Sequence, residues 1–120
     1  MENEWIARVV LFVTLFGSGI LIFWMAHAAA SGRLKRNAIA GIRTPSTMAS
    51  EEAWLAAHVR AKTPTLYAGA AAAAGGLVAL APIPMPVITV GVLVAAVVML
   101  VVVLYAARVG GAAARGAAGT

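Results

Sequence analysis

Residues 63–107 read TPTLYAGAAAAAGGLVALAPIPMPVITVGVLVAAVVMLVVVLYAA, without one Lys, Arg, Asp or Glu. A spanning helix needs about 20 mostly apolar residues, because the hydrocarbon core is about 30 Å thick and each residue rises about 1.5 Å. The stretch is too long for one crossing. Pro82-Ile83-Pro84-Met85-Pro86 divides it, since prolines at alternate positions remove backbone donors and fix φ. The reading is two helices, about 64–81 and 87–108, joined by a tight turn. Irregular backbone is not tolerated against lipid, so that turn belongs at a membrane surface. A second run without formal charge, Val9 to Gly32, lies within an apolar body from about Trp5 to Ala30. It predicts a first span over about 5–30.

Composition agrees with this pattern. The 120 residues are 62% hydrophobic and 11% charged, against roughly 25% charged in soluble globular chains. Such a chain cannot cover itself with polar surface, which excludes a water-soluble enzyme domain, a disordered linker and a fibrous repeat. The fold class expected is therefore all-α and integral to the membrane: three transmembrane helices, with a short interfacial helix between the first two. Residues 1–108 form one membrane domain on this reading, and the Gly/Ala-rich residues 109–120 form a disordered tail.

The first span is distinguished from a cleaved signal peptide by its flank. Glu2 and Glu4 make the leader acidic where a signal peptide is basic, and the apolar body exceeds the usual length of about 7–15 residues. Orientation follows from the basic residues. Arg33, Lys35, Arg36, Arg43, Arg60 and Lys62 lie between the first two spans, and Arg108 and Arg115 follow the third. Only Arg8 falls on the other side. The expectation is a bacterial cytoplasmic (inner) membrane protein with its N-terminus outside and its C-terminus in the cytoplasm. This topology accounts for the net charge of +5 without nucleic-acid binding.

The polar segment 31–63 carries the most information. Gly32 and its basic neighbours suit a helix C-terminus. Gly41-Ile42-Arg43-Thr44-Pro45 reads as a turn, with Thr44 pushed towards extended backbone by the proline after it. Ser46 or Thr47 can cap a helix over about 47–62, with Glu51 and Glu52 complementing its positive end. Thr63-Pro64 is expected to break this helix before the second span. Thr47, Ser50, Trp54 and His58 then fall on one stripe, with Glu52, Ala56 and Arg60 opposite. Two readings stand. Trp54 is an interfacial anchor, Thr47 a cap and His58 a partly wet polar residue; or the stripe, with Arg43, lines a polar pocket at the mouth of the bundle.

Arg36-Asn37, Gly41-Ile42-Arg43-Thr44-Pro45, Thr47, Ser50, Trp54 and His58, in this order between two apolar helices, resemble the signature of the SdpI family. Its members are small bacterial integral membrane proteins, and the resemblance is close over about 33–62. It implies a role in immunity against a secreted killing peptide, or in the linked membrane signalling. It also implies a motif site of Asn37, Gly41, Arg43, Thr44, Thr47, Ser50, Trp54 and His58. The immunity protein proper resembles a longer chain with more spans.

Elsewhere the sequence offers little chemistry. There is no Asp or Cys, all four Glu lie in polar segments, and the two His sit far apart, so no metal site, cofactor site or catalytic set is expected. His27, near the inner end of its span, can reach the headgroup region. The second span is built of small residues, with Gly69/Ala73 and Ala72/Gly76 spaced for close helix approach. It is expected to pack centrally, against its neighbours or another copy. The expected partners are membrane lipids and a protein partner or second copy within the membrane. Besides immunity or signalling, an accessory subunit of an envelope complex and a small transporter or channel component remain open.

Overall fold

A computed structural model describes residues 2–118. It is all-α, with three long helices: α1 (Glu2–Ala30), α2 (Glu51–Ala79) and α3 (Met85–Ala118). A single 3₁₀ turn, Thr47–Ala49, precedes α2. The helices run antiparallel to their neighbours in a rod 59 Å long and 22 by 19 Å across. Two of them, over Glu4–Ala30 and Met85–Ala117, are long and apolar enough to cross a membrane. Their outer faces display Trp5, Val9, Val13, Val90, Val94, Val97, Val101 and Leu104, all more than 45% exposed. An apolar surface of this extent is favoured in lipid over water.

The middle helix packs on both of the others. Its Gly69 and Gly76 meet α1, and a Cβ on Gly76 would stand 2.8 Å from the Phe16 backbone nitrogen. A Cβ on Gly75 would stand 2.7 Å from the Ala95 side chain of α3. Ala72 is fully buried, and the Ala73 backbone nitrogen lies 2.9 Å from where a Cβ on Gly19 would be. Gly69, Ala72, Ala73 and Gly76 thus lie inside the bundle, where small residues let backbones approach. At the proline end, α2 stops at Leu80. Arg8 of α1 donates to the carbonyls of Ala81 (2.7 Å) and Ile83 (2.8 Å), closing the turn.

Three boundaries differ from those expected. Pro64 does not break the helix: α2 runs through it, so residues 51–62 are collinear with the small-residue segment instead of forming a separate interfacial helix over 47–62. Proline inside a helix leaves the carbonyl four residues back without its usual donor. Packing on both flanks holds the helix together here, and the Thr65 hydroxyl donates to the adjacent Ala61 carbonyl at 2.7 Å. The helix cap is Ser50, not Ser46 or Thr47; its side chain accepts from the Ala53 N–H at 3.0 Å, with Glu51 and Glu52 in the first turn.

The third difference is at the far end. Residues 109–118, expected as disordered tail, continue α3 (119 and 120 lie outside the described residues). Their small side chains are what allows this. A Cβ on Gly110 would lie 3.0 Å from the Ala57 carbonyl oxygen, and Ala114 packs fully buried with Ala53 and Ala57. At about 1.5 Å per residue, residues 51–62 add roughly 18 Å of helix beyond the apolar part of α2. The end of α3 runs alongside them, and this projecting pair of helices carries the motif loop.

Candidate functional site

The loop begins where Gly32, at φ +84°, turns the chain out of α1 and the Leu34 N–H returns to the Ala28 carbonyl at 2.9 Å. Asn37 then folds the next stretch around its own amide. Its Oδ1 accepts from the N–H groups of Ile39 and Ala40, at 2.9 and 2.8 Å. Its Nδ2 donates to the carbonyls of Lys35 and Ala40, at 2.7 and 3.1 Å. Asparagine side chains bonded to nearby backbone in this way stand in for a turn.

Beyond it the loop meets α2. Trp54 is 1% exposed and donates from Nε1 to the Leu34 carbonyl at 2.9 Å. One turn later, His58 packs against it, ring centroids 4.2 Å apart and planes tilted by 36°. The Ile42 N–H donates to His58 Nε2 at 2.9 Å, so that nitrogen carries the lone pair. The ring proton therefore sits on Nδ1, which donates to the Trp54 carbonyl at 2.8 Å. Gly41, at φ +104°, crosses the edge of both rings at a distance that leaves no room for a side chain.

Thr47 closes the arrangement. Fully buried, its hydroxyl donates to the Ile42 carbonyl at 2.6 Å and accepts from the Thr44 N–H at 2.9 Å. The Thr47 N–H donates back to the Thr44 hydroxyl at 3.3 Å. Arg36 fastens the outside, donating to the Met48 carbonyl at 2.8 Å and pairing with Glu51 at 3.3 Å. Among the described residues, no buried side-chain polar atom lacks a partner. These residues form a clasp that holds the loop on α2.

The match to known families falls on this region. The model of the SdpI/YfhL protein family matches residues 33–107, more than half of the chain. The chain belongs to the SdpI/YfhL family. The SdpI/YfhL match opens at Arg33, directly after α1, and takes in the clasp, α2, the proline turn and most of α3. No curated protein and no solved structure matches the chain.

Within this SdpI/YfhL chain the sequence-derived site residues separate into three kinds. Asn37, Gly41, Thr44, Thr47, Trp54 and His58 meet in the clasp: Asn37 folds the loop, Thr47, Trp54 and His58 pack between loop and helix, and Gly41 and Thr44 also border a groove beside it. Ser50 stands apart as the cap of α2. Arg43 faces outward, exposed, with Nε donating to the Asn37 carbonyl at 3.1 Å. Four participants escaped the sequence reading. The Leu34 carbonyl and Ile42 amide are backbone groups that carry no sequence signal. Gly110 and Ala114 do carry one: small residues four apart in the tail, matching Ala53 and Ala57 on α2.

His58 lies before the apolar part of α2, and its burial pushes the imidazole pKa below the usual value, against the opposing effect of the Trp54 carbonyl. Protonation would also set a second N–H against the Ile42 donor. With the folded pKa lowered, the contribution of His58 to stability is complete above the ordinary histidine value of about 6.5. It is lost as pH falls from there through the folded pKa. Thermal unfolding in detergent should therefore shift to lower temperature on acidification from about pH 7.5 to about pH 5. His58→Gln, uncharged throughout, should flatten that dependence; an equal acid slope in both proteins would assign it to another group.

Proposed function

We propose that this chain is an SdpI-like bacterial membrane protein of the immunity and signalling type. On this reading it crosses the cytoplasmic membrane three times, over about 5–30, 64–81 and 87–108, with its N-terminus outside. The projecting end faces the cytoplasm, performs no catalysis, and uses its basic loop to engage a partner or lipid headgroups. One observation carries the proposal: the clasp fixes the loop, so Arg33, Lys35 and Arg43 stand exposed on a preformed frame. Preorganisation of this kind lowers the ordering cost of binding. The basic residues gathered at this end support the orientation. A pathway lined by the small face of α2 loses its main support, because that face is packed against α1 and α3.

The test is protection. Cells expressing the protein should survive a membrane-active killing peptide better than control cells, and Arg43→Ala should remove the advantage at equal membrane abundance. No protection, together with stoichiometric co-purification of envelope proteins in mild detergent, would replace this reading with an accessory-subunit role. Cysteine placed at Met48 should resist an impermeant thiol reagent applied outside, and cysteine at Met85 should react. The reverse pattern would overturn the orientation.

A further inference from the structure

Because α1 and α3 both pack on α2, a groove remains between them at the loop end of the bundle. It has a volume of about 360 Å³, within the range of about 300–1,000 Å³ typical of small-molecule sites. Ile22 and Met25 of α1 form one wall and Val103 of α3 the other; Thr65 lies on the α2 side, and Arg43 and Thr44 form the rim. The walls are apolar. The Thr65 hydroxyl is engaged by the Ala61 carbonyl, and the Thr44 hydroxyl and N–H are both engaged by Thr47. Arg43 is different: among the described residues it makes one hydrogen bond, through Nε, and no ion pair. Its terminal nitrogens are left as open donors above an apolar slot, and no acidic residue lines that slot.

We infer that this groove binds one anionic phospholipid, with an acyl chain between α1 and α3 and the phosphate on Arg43. The inference rests on the proposed placement of the loop at the cytoplasmic membrane face, and it names the ligand of that loop. Charge complementarity selects the headgroup, because a guanidinium fork matches phosphate oxygens in geometry as well as sign. The apolar walls select the chain. A peptide fits less well: the side-chain hydroxyls of Thr44 and Thr65 are already engaged, so its amide groups would enter a mainly apolar slot, and unpaired buried amides are costly. An acyl chain brings no such groups. The depth is also suitable, since Arg43 sits where the spans give way to the projecting helices, the level of the headgroup phosphates.

The test is native mass spectrometry of the full chain in mild detergent, titrated with phosphatidylglycerol and with phosphatidylcholine of the same acyl composition. Phosphatidylglycerol should bind about ten-fold more tightly, because in phosphatidylcholine the choline cation offsets the phosphate charge that Arg43 reads. Arg43→Gln should abolish the preference, whereas Arg115→Gln should leave it intact. Val103→Trp, which fills the slot, should weaken both lipids; Met25→Trp serves the same purpose if that variant unfolds. Equal binding of the two lipids, an equal loss in Arg115→Gln, or full competition by inorganic phosphate alone would each overturn the assignment. If Arg43→Ala abolishes protection while the lipid preference is absent, the lipid assignment fails and the partner-binding reading of the loop stands.

Discussion

Gly41→Ala is expected to destabilise the motif loop by about 4 kcal/mol, the sum of two separate penalties of about 1–3 kcal/mol each. The first is backbone strain. Gly41 sits at φ +104°, a region that a residue with a Cβ enters only at a cost. The second is steric: the new methyl would lie 2.5 Å from Trp54 Cη2 and 2.9 Å from His58 Nε2. Neither ring can retreat freely, because each is held by its own hydrogen bond to a backbone carbonyl. The loop must then lift, breaking the Ile42–His58 bond. Limited proteolysis of the detergent-solubilised protein should cut Gly41→Ala within residues 33–50 much faster than wild type. The apolar helices should remain inserted, since their hydropathy is unchanged. Wild-type resistance to cleavage in the variant would mean that the glycine is not constrained as described.

Trp54→Ala is expected to cost about 3–5 kcal/mol, as large aromatic truncations in packed interiors do. It empties the centre of the clasp and removes the ring that His58 packs against. It also leaves the Leu34 carbonyl without its donor, which adds to the penalty where the carbonyl stays dry. Trp54→Phe separates the two effects, retaining most of the packing and losing the hydrogen bond, at about 1–2 kcal/mol. Unfolding temperatures in one detergent should therefore order wild type, then Trp54→Phe, then Trp54→Ala. If Trp54→Ala unfolded with wild type, the tryptophan would be a lipid-facing anchor and not the centre of a packed site.

The long apolar segments, the proline turn and the close-packing residues of α2 can be read from sequence because each depends on local composition. Hydropathy and chain length define the helical segments, and small residues at four-residue spacing mark where backbones meet. Pro64 shows the limit of that approach. Its local penalty is real, but α1 and α3 hold α2 from both sides, and tertiary packing decides the outcome. The tail shows the same effect in reverse: a glycine-rich sequence with poor helix propensity is helical because Gly110 and Ala114 fit against Ala57 and Ala53. At the site, residue types in the loop indicate that Asn37, Gly41, Thr47, Trp54 and His58 matter. They do not show that these residues bond to one another's backbone, because the acceptors and donors at Leu34, Ile42 and Trp54 are main-chain groups common to any sequence.

The claim beneath the functional proposals is that this loop is a fixed structure fastened to α2. Residue-resolved hydrogen–deuterium exchange in lipid bilayers tests it most directly, read at the amides of Ile39, Ala40, Ile42 and Thr44. Each of these donates to a side chain of Asn37, His58 or Thr47. Protection approaching that of the helical amides of α2 is the predicted result. Exchange of these four amides at the rate of an unstructured peptide, with α1, α2 and α3 still protected, would contradict it.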